Sequence, residues 1–217
     1  MKYLAIDTSG ETVSVLVRAE EKVIFRQEKE LRRTSESLLP LIDSMLDEAG
    51  LGLYDMEFFA CVTGPGSFTG IRLGVVATKI FAYVAKKPVI AVTSLEKLAY
   101  NDISAGAESV VLVVHAYSDY CYFSAFDADK SPIIQPQTAL YEEAAELISG
   151  LKKPCAVVSD SVSADFFTES VTDDARYSLL RAAEDLFAKG RLLDYRELEP
   201  YYILKSQAER ELEEKQR

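Results

Sequence analysis

The run Phe58-Phe59-Ala60-Cys61-Val62-Thr63-Gly64-Pro65-Gly66-Ser67-Phe68-Thr69-Gly70 decides how this chain is built. Phe58–Thr63 is continuously apolar, which predicts a strand covered on both faces. It runs straight into a loop with three glycines in seven residues, Gly64–Gly70. Such a loop permits backbone angles closed to other residues and lets a second backbone or a ligand approach closely. Ser67 or Thr69 can cap a helix that follows, predicted over about Ile71–Ala85. Free N–H groups at that helix start also suit an anion, so Gly66, Ser67 and Thr69 are candidate phosphate contacts. The loop is not a P-loop, because the closing Lys-Ser/Thr is absent, nor does it fit G-x-G-x-x-G. It supports tight strand-to-helix packing and anion binding equally.

Downstream, Pro88–Val92 reads as a strand, and Thr93-Ser94-Leu95-Glu96 is a capping box opening a short helix. Upstream, Tyr3–Asp7, Thr12–Arg18 and Lys22–Glu28 read as a three-strand meander. A helix follows over Ser35–Ala49, stopped by Gly50. Residues 1–100 therefore predict an N-terminal lobe with a mixed sheet and crossover helices. Residues 101–217 predict a smaller C-terminal lobe, joined at the polar stretch Asn101–Glu108. Its strands fall at Ser109–His115, Tyr120–Asp127 and Cys155–Ser159, its helices at Glu142–Ser149 and Leu179–Lys189. Tyr201–Leu204 reads as a short extended piece, and Ser206–Arg217 is charged all round, a solvated helix or frayed tail.

Two features of the first lobe invite functional readings. In the turn Asp7-Thr8-Ser9-Gly10, hydroxyls and N–H groups can face a phosphate while the carboxylate holds a metal through water. A plain hairpin turn is the competing reading. The helices offer either core packing or a partner surface. Leu38, Leu39, Ile42, Met45 and Leu46 form a stripe on the first, broader than a helix-on-sheet contact requires; taken alone, that stripe favours core packing. On the second, Gly70, Gly74, Thr78 and Ala82 form a ridge of small residues flanked by Ile71 and Val75. Such a ridge lets another helix approach closely, either this chain's own first helix or one on a second protein.

Composition narrows the field. The chain holds 217 residues at net charge −11, with residues 1–100 carrying 12 Lys/Arg against 13 Asp/Glu and residues 101–217 carrying 12 against 22. A protein that grips a nucleic-acid backbone alone shows a basic stripe, whereas Arg32-Arg33 is the nearest approach to one here. Cys61, Cys121 and Cys155 form no C-x-x-C pair and read as buried reduced thiols. His115 is the single histidine, so neither a zinc site nor a Ser-His-Asp relay has a credible residue set. No run approaches 18 uninterrupted apolar residues, and a carboxylate arrives at Asp7, too early for a signal-peptide core; a cytoplasmic protein without a membrane span is expected.

The sequence resembles the TsaB (YeaZ) family. The resemblance rests on Tyr3-Leu4-Ala5-Ile6-Asp7-Thr8-Ser9, Ser35-Glu36-x-Leu38-Leu39-Pro40, Gly64-Pro-Gly-Ser-Phe-Thr-Gly-Ile-Arg72-Leu-Gly74 and Pro88-Val89-x-x-Val92-x-Ser94-Leu95-Glu96. Glu199-Pro200-Tyr201-Tyr202-Ile203 looks like the family's C-terminal E-P-x-Y-[LI] element. The resemblance implies a two-lobed actin/hexokinase/Hsp70-like (ASKHA) α/β fold with mixed sheets flanked by helices. It also implies a non-catalytic subunit that pairs through helices with a TsaD-type catalytic protein. TsaD transfers threonylcarbamoyl to N6 of adenosine 37 in tRNAs reading codons that begin with A. A TsaE-type ATPase joins the assembly, and the subunit alone forms a homodimer. Contact with tRNA is expected only through the complex. No cofactor is expected on this chain alone, with ATP or ADP at the interface of the full complex.

TsaD-type catalysis looks metal-dependent through paired histidines on a first-lobe helix, and here that helix starts Arg33-Thr34-Ser35-Glu36 with none. The sequence departs from the family at Thr34, where many members carry histidine, and at His115-Ala116-Tyr117, where many carry Asp-Ala-Arg. The alternative is a free-standing ATP-dependent enzyme such as a small-molecule kinase, with Asp7 near a phosphate and Asp119 as second carboxylate. A protease lacks a nucleophile–base pair. On the favoured reading the glycine loop sets the start of a helix whose ligand is a protein.

Overall fold

The computed structural model describes residues 1–29, 34–101, 108–129, 131–151, 155–159, 163, 171–172 and 174–203, with the side chains of 34–35, 155–156 and 171–172 excepted. Among the described residues, ten strands form two five-stranded sheets. β1 (Lys2–Asp7), β2 (Val13–Ala19) and β3 (Lys22–Glu28) make an antiparallel meander; β4 (Phe58–Val62) and β5 (Val89–Val92) extend it in parallel, giving the order β3-β2-β1-β4-β5. The second sheet repeats this plan. β6 (Ser109–Tyr117), β7 (Tyr120–Asp127) and β8 (Pro132–Leu140) are antiparallel, β9 (Cys155–Ser159) and β10 (Val171–Thr172) parallel, in the order β10-β9-β6-β7-β8.

Among the described residues, five helices cover these sheets: α1 (Thr34–Ala49), α2 (Phe68–Ala85), α3 (Ser94–Leu98), α4 (Tyr141–Ser149) and α5 (Ala175–Ala188). Leu38, Ile42, Met45 and Leu46 of α1, with Ile71, Val75 and Phe81 of α2, close one face of the first sheet over Leu4, Ile6, Val15, Phe59 and Cys61. Period-two alternation sends Tyr3, Ala5, Phe58, Ala60 and Val62 to the opposite face, as strand geometry requires. The helix over that face is α5, through Leu179, Ala182, Ala183 and Leu186. In return α3 leaves the first sheet and packs Leu95 and Leu98 beneath the second, against Val110, Leu112 and Val158. The other face of the second sheet is covered by α4, through Tyr141 and Ala144.

This exchange corrects the expected division at residue 101. The second sheet ends at Thr172, and α5 and the segment after it, as far as Tyr201, return to the first, while Ile203 packs back against the second. Leu193 pairs with Val89, Leu198 is buried in the α1–α2 core, and the Tyr201 N–H donates to the Thr63 carbonyl at 2.8 Å. Two strands escape the sequence patterns. β8 carries Pro132 and Pro136 and alternates toward solvent, as an outermost strand can; β10 has two residues. The expected stretch 206–217, with Leu204 and Arg32-Arg33, lies outside the described residues.

Candidate functional site

The turn after β1 and the loop after β4 meet at one end of the first sheet. Ser67 N–H donates to the Ser9 carbonyl at 2.7 Å, and Thr8 Oγ1–H donates to the Gly70 carbonyl at 2.7 Å. Gly64 sits at φ +111°, where a side chain would be strained and would also strike the Tyr201 carbonyl. A Cβ on Gly66 would overlap the Ser9 carbonyl oxygen, and one on Gly70 the Thr8 carbonyl oxygen. The glycines are therefore needed for the chain's own hairpin, which occupies the close approach that the sequence left open to a ligand. Ser67 caps α2 by accepting from the Gly70 N–H at 3.2 Å, while Thr69 is exposed in the first turn.

Asp7, Thr8, Ser9, Gly66 and Ser67 thus converge, and their polar groups face one another, whereas Thr69 is turned to solvent. Asp7 is 5% and Lys97 9% exposed, and their Oδ2 and Nζ lie 2.8 Å apart. Asp7 Oδ1 accepts from the Ser9 N–H at 2.9 Å and the Ser9 hydroxyl at 2.6 Å. The Ser94 hydroxyl in turn donates to Ser9 Oγ at 3.1 Å. Burial pushes the Asp7 carboxyl up, but the Lys97 charge and the hydrogen bonds from Lys97 and Ser9 outweigh it and hold the group below its ordinary value. Nothing in the sequence pattern marks Lys97, which stands between the capping-box Glu96 and the apolar Leu98-Ala99-Tyr100.

The partner residues need correction. Leu38, Ile42, Met45, Leu46, Ile71, Val75 and Thr78 are buried within this chain, and so are Gly70 and Gly74. The ridge of small residues lies on the chain's own sheet: a Cβ on Gly74 would come 2.5 Å from Thr8 Oγ1 and 3.5 Å from Cys61 Sγ. Only Leu39 of the expected set is exposed. The free face of α2 carries instead Val76, Ile80, Tyr83 and Val84, exposed at 53, 54, 56 and 41%. An open groove of about 590 Å³ runs beside it, lined by Leu39, Asp43, Asp47, Leu53 and Phe81 among others. Although α2 has the length and composition of a membrane span, half of it is buried in the fold.

Other expected residues lie apart. His115 Nδ1 is 3.0 Å from Tyr141 Oη, which is 3.1 Å from Ser163 Oγ. Asp119 is exposed in the β6–β7 turn. Cys61 and Cys121 are buried and outside any disulfide, and burial pushes Cys61 up to about 12. Among the described residues no three His, Cys, Asp or Glu side chains cluster to hold a metal. The C-terminal element lies along α2: Glu199 pairs with Lys79 at 2.8 Å, and Arg72 Nε donates to Tyr202 Oη at 3.0 Å.

Two lobes repeating one β-β-β-α-β plan, each sheet mixed and flanked by helices, define the actin/hexokinase/Hsp70 class of fold. The family described as "TsaD: tRNA N6-adenosine threonylcarbamoyltransferase" matches residues 27–174. The Escherichia coli tRNA threonylcarbamoyladenosine biosynthesis protein TsaB is 30% identical over 219 residues, covering 94% of each chain. The Haemophilus influenzae protein of the same name is 38% identical over 125 residues, 57% of this chain and about half (53%) of that protein. Among solved structures, YeaZ from Pseudomonas aeruginosa superposes with a TM-score of 0.74 at 25% identity, over 93% of this chain and 99% of that one. The chain belongs to the TsaB family.

Proposed function

We infer that this chain is a non-catalytic subunit of the machinery that transfers threonylcarbamoyl to N6 of adenosine 37 in tRNAs reading codons that begin with A. Its relatives are named for threonylcarbamoyladenosine biosynthesis, and the match to the TsaD family over residues 27–174 makes a TsaD-type protein the natural structural counterpart.

The observation that carries this reading is the outward face of α2. A helix as apolar as α2, with Arg72 and Lys79 its charged residues, belongs largely inside a protein, yet Val76, Ile80, Tyr83 and Val84 face solvent at spacings of four, three and one. Contiguous exposed apolar surface of this kind marks a protein contact. An equivalent helix on a TsaD-type partner, or on a second copy when the chain is alone, would cover it. The acidic chain lacks a basic stripe, so tRNA and a TsaE-type ATPase meet it within the complex, in the cytoplasm where tRNA is modified. Any ATP or ADP is held by the partners or at the shared interface, since the polar groups around Asp7 are engaged with one another. A free-standing kinase is not supported.

Size-exclusion chromatography of the chain mixed with its cognate TsaD-type protein tests the reading. A co-eluting complex that forms without added nucleotide is the expected result, and separate elution at micromolar concentrations refutes it.

A further inference from the structure

The fold class and the Asp7-Thr8-Ser9 turn both imply a metal-bound nucleotide at the end of β1. The residues present do not fit one. Both Asp7 carboxylate oxygens are engaged, Oδ1 by Ser9 and Oδ2 by the Lys97 ammonium at 2.8 Å. A divalent ion at the same oxygen would stand a few ångströms from that ammonium in a buried setting, where like charges repel strongly. On the other side, the Thr8 and Ser9 carbonyls fill the close approach to Gly70 and Gly66. The loop's Ser67 N–H already has the Ser9 carbonyl as acceptor.

Lys97 is also placed where a charge can join the two lobes. It sits on α3, whose Leu95 and Leu98 are core residues of the second sheet. Asp7 ends the central strand β1 of the first. Ser94, at the start of the same helix, bonds Ser9 through its hydroxyl at 3.1 Å and the Gly64 carbonyl through its N–H at 2.8 Å. A closed ring of Asp7, Ser9, Ser94 and Lys97 thus spans the junction.

We propose that the Lys97 ammonium is a built-in cation. It takes the place on Asp7 that a metal–nucleotide would need, and it fixes α3, with the second sheet, to the first lobe in the absence of any ligand. The lowered Asp7 pKa accords with this, because a buried carboxylate without a cation would move the other way.

Thermal melting of the full chain, alone and with millimolar MgCl2 or MgCl2 plus ADP, tests the proposal. The unaltered chain should melt at one temperature in all three. Lys97→Met removes the charge from an unbranched side chain of similar length and strands Asp7, so its Tm should fall by roughly 10 °C. Mg2+ should restore part of that loss. Asp7→Asn combined with Lys97→Met leaves no buried charge, should recover most of the stability and should ignore Mg2+. A Tm rise of the unaltered chain with MgADP would show that Asp7 takes a metal despite Lys97, and overturns the proposal. So does a Lys97→Met chain that is as stable as the unaltered one, or one destabilised but indifferent to Mg2+. Should Lys97→Met not fold at all, the double variant decides: stability restored supports the internal cation, stability still lost refutes it.

Discussion

The two faces of α2 are both apolar, yet they do different work. The inward face is built of Gly70, Gly74, Thr78 and Ala82, with Ile71 and Val75 filling between them, and it is buried on β1 and β4. The outward face is built of Val76, Ile80, Tyr83 and Val84, and it is more than two-fifths exposed at each position. Small residues stand where a backbone must come close, here the Thr8 carbonyl against Gly70. Large branched and aromatic residues stand on both faces, Ile71, Val75 and Phe81 buried and Val76, Ile80, Tyr83 and Val84 largely exposed, with Tyr83 edge-on to Tyr195. The row of small residues, rather than hydrophobicity, separates the fold-making face from the outward one proposed as the partner contact.

Breaking the inward face should cost the most. Gly70→Val drives a branched side chain into the Thr8 carbonyl, which a backbone atom cannot avoid. A loss above about 4 kcal/mol is expected, a large fraction of the roughly 5–15 kcal/mol that holds a typical domain, and a urea melt followed by circular dichroism measures it. The outward face should behave in the opposite way. Ile80→Glu with Tyr83→Glu should leave stability within about 1 kcal/mol, because both positions are solvated. The same variant should lose co-elution with the TsaD-type protein; a folded double variant that still binds would remove α2's outward face from the interface.

Acid gives a smaller, graded effect on the turn beneath the inward face. The folded Asp7 pKa lies below its ordinary 3.8, so the stability it contributes is fully present above that value and is lost as pH falls through the lower folded one. Unfolding free energy measured from pH 6 to pH 3 should decline, with a shallower decline for the Asp7→Asn, Lys97→Met chain. The smallest effect is a silence. With Cys61 raised to about 12, only ~1 thiolate in 10,000 exists at pH 8, and the thiol lies under Gly74. Peptide mapping after treatment with a thiol reagent should find Cys61 unmodified in the folded chain. Rapid labelling would mean that α2 lifts from its sheet.

Most of the first lobe was legible because its signals are local. Lys22–Glu28 matches the predicted bounds, and the Thr93 capping box is formed, with the Glu96 N–H 2.9 Å from Thr93 Oγ1. The outward face of α2, proposed as the interface, was not legible, because apolar residues occupy most of that helix's circumference and leave no periodicity to tell a core stripe from a docking stripe. A ridge of small residues looks the same whether a sheet or a helix lies over it. The site residues Asp7, Ser9 and Ser67 were found by their turn chemistry, but Lys97 is 90 residues from Asp7 and belongs to no motif. The return of α5 to the first sheet is likewise a long-range event. Its amphipathic pattern shows that one face is buried without naming the surface that buries it.

The exchange of α3 and α5 has a consequence for how the chain is made. Domains emerge from the ribosome N-terminal end first. Here Tyr3, Ala5, Phe58, Ala60 and Val62 are fully buried in the finished protein against a helix that begins at Ala175. During synthesis that face of the first sheet stays uncovered until nearly the whole chain has been translated. Contacts so distant in sequence close late and slowly. The nascent chain therefore presents an aromatic-rich sheet face to its surroundings, a surface suited to transient protection by a chaperone until α5 arrives to cover it.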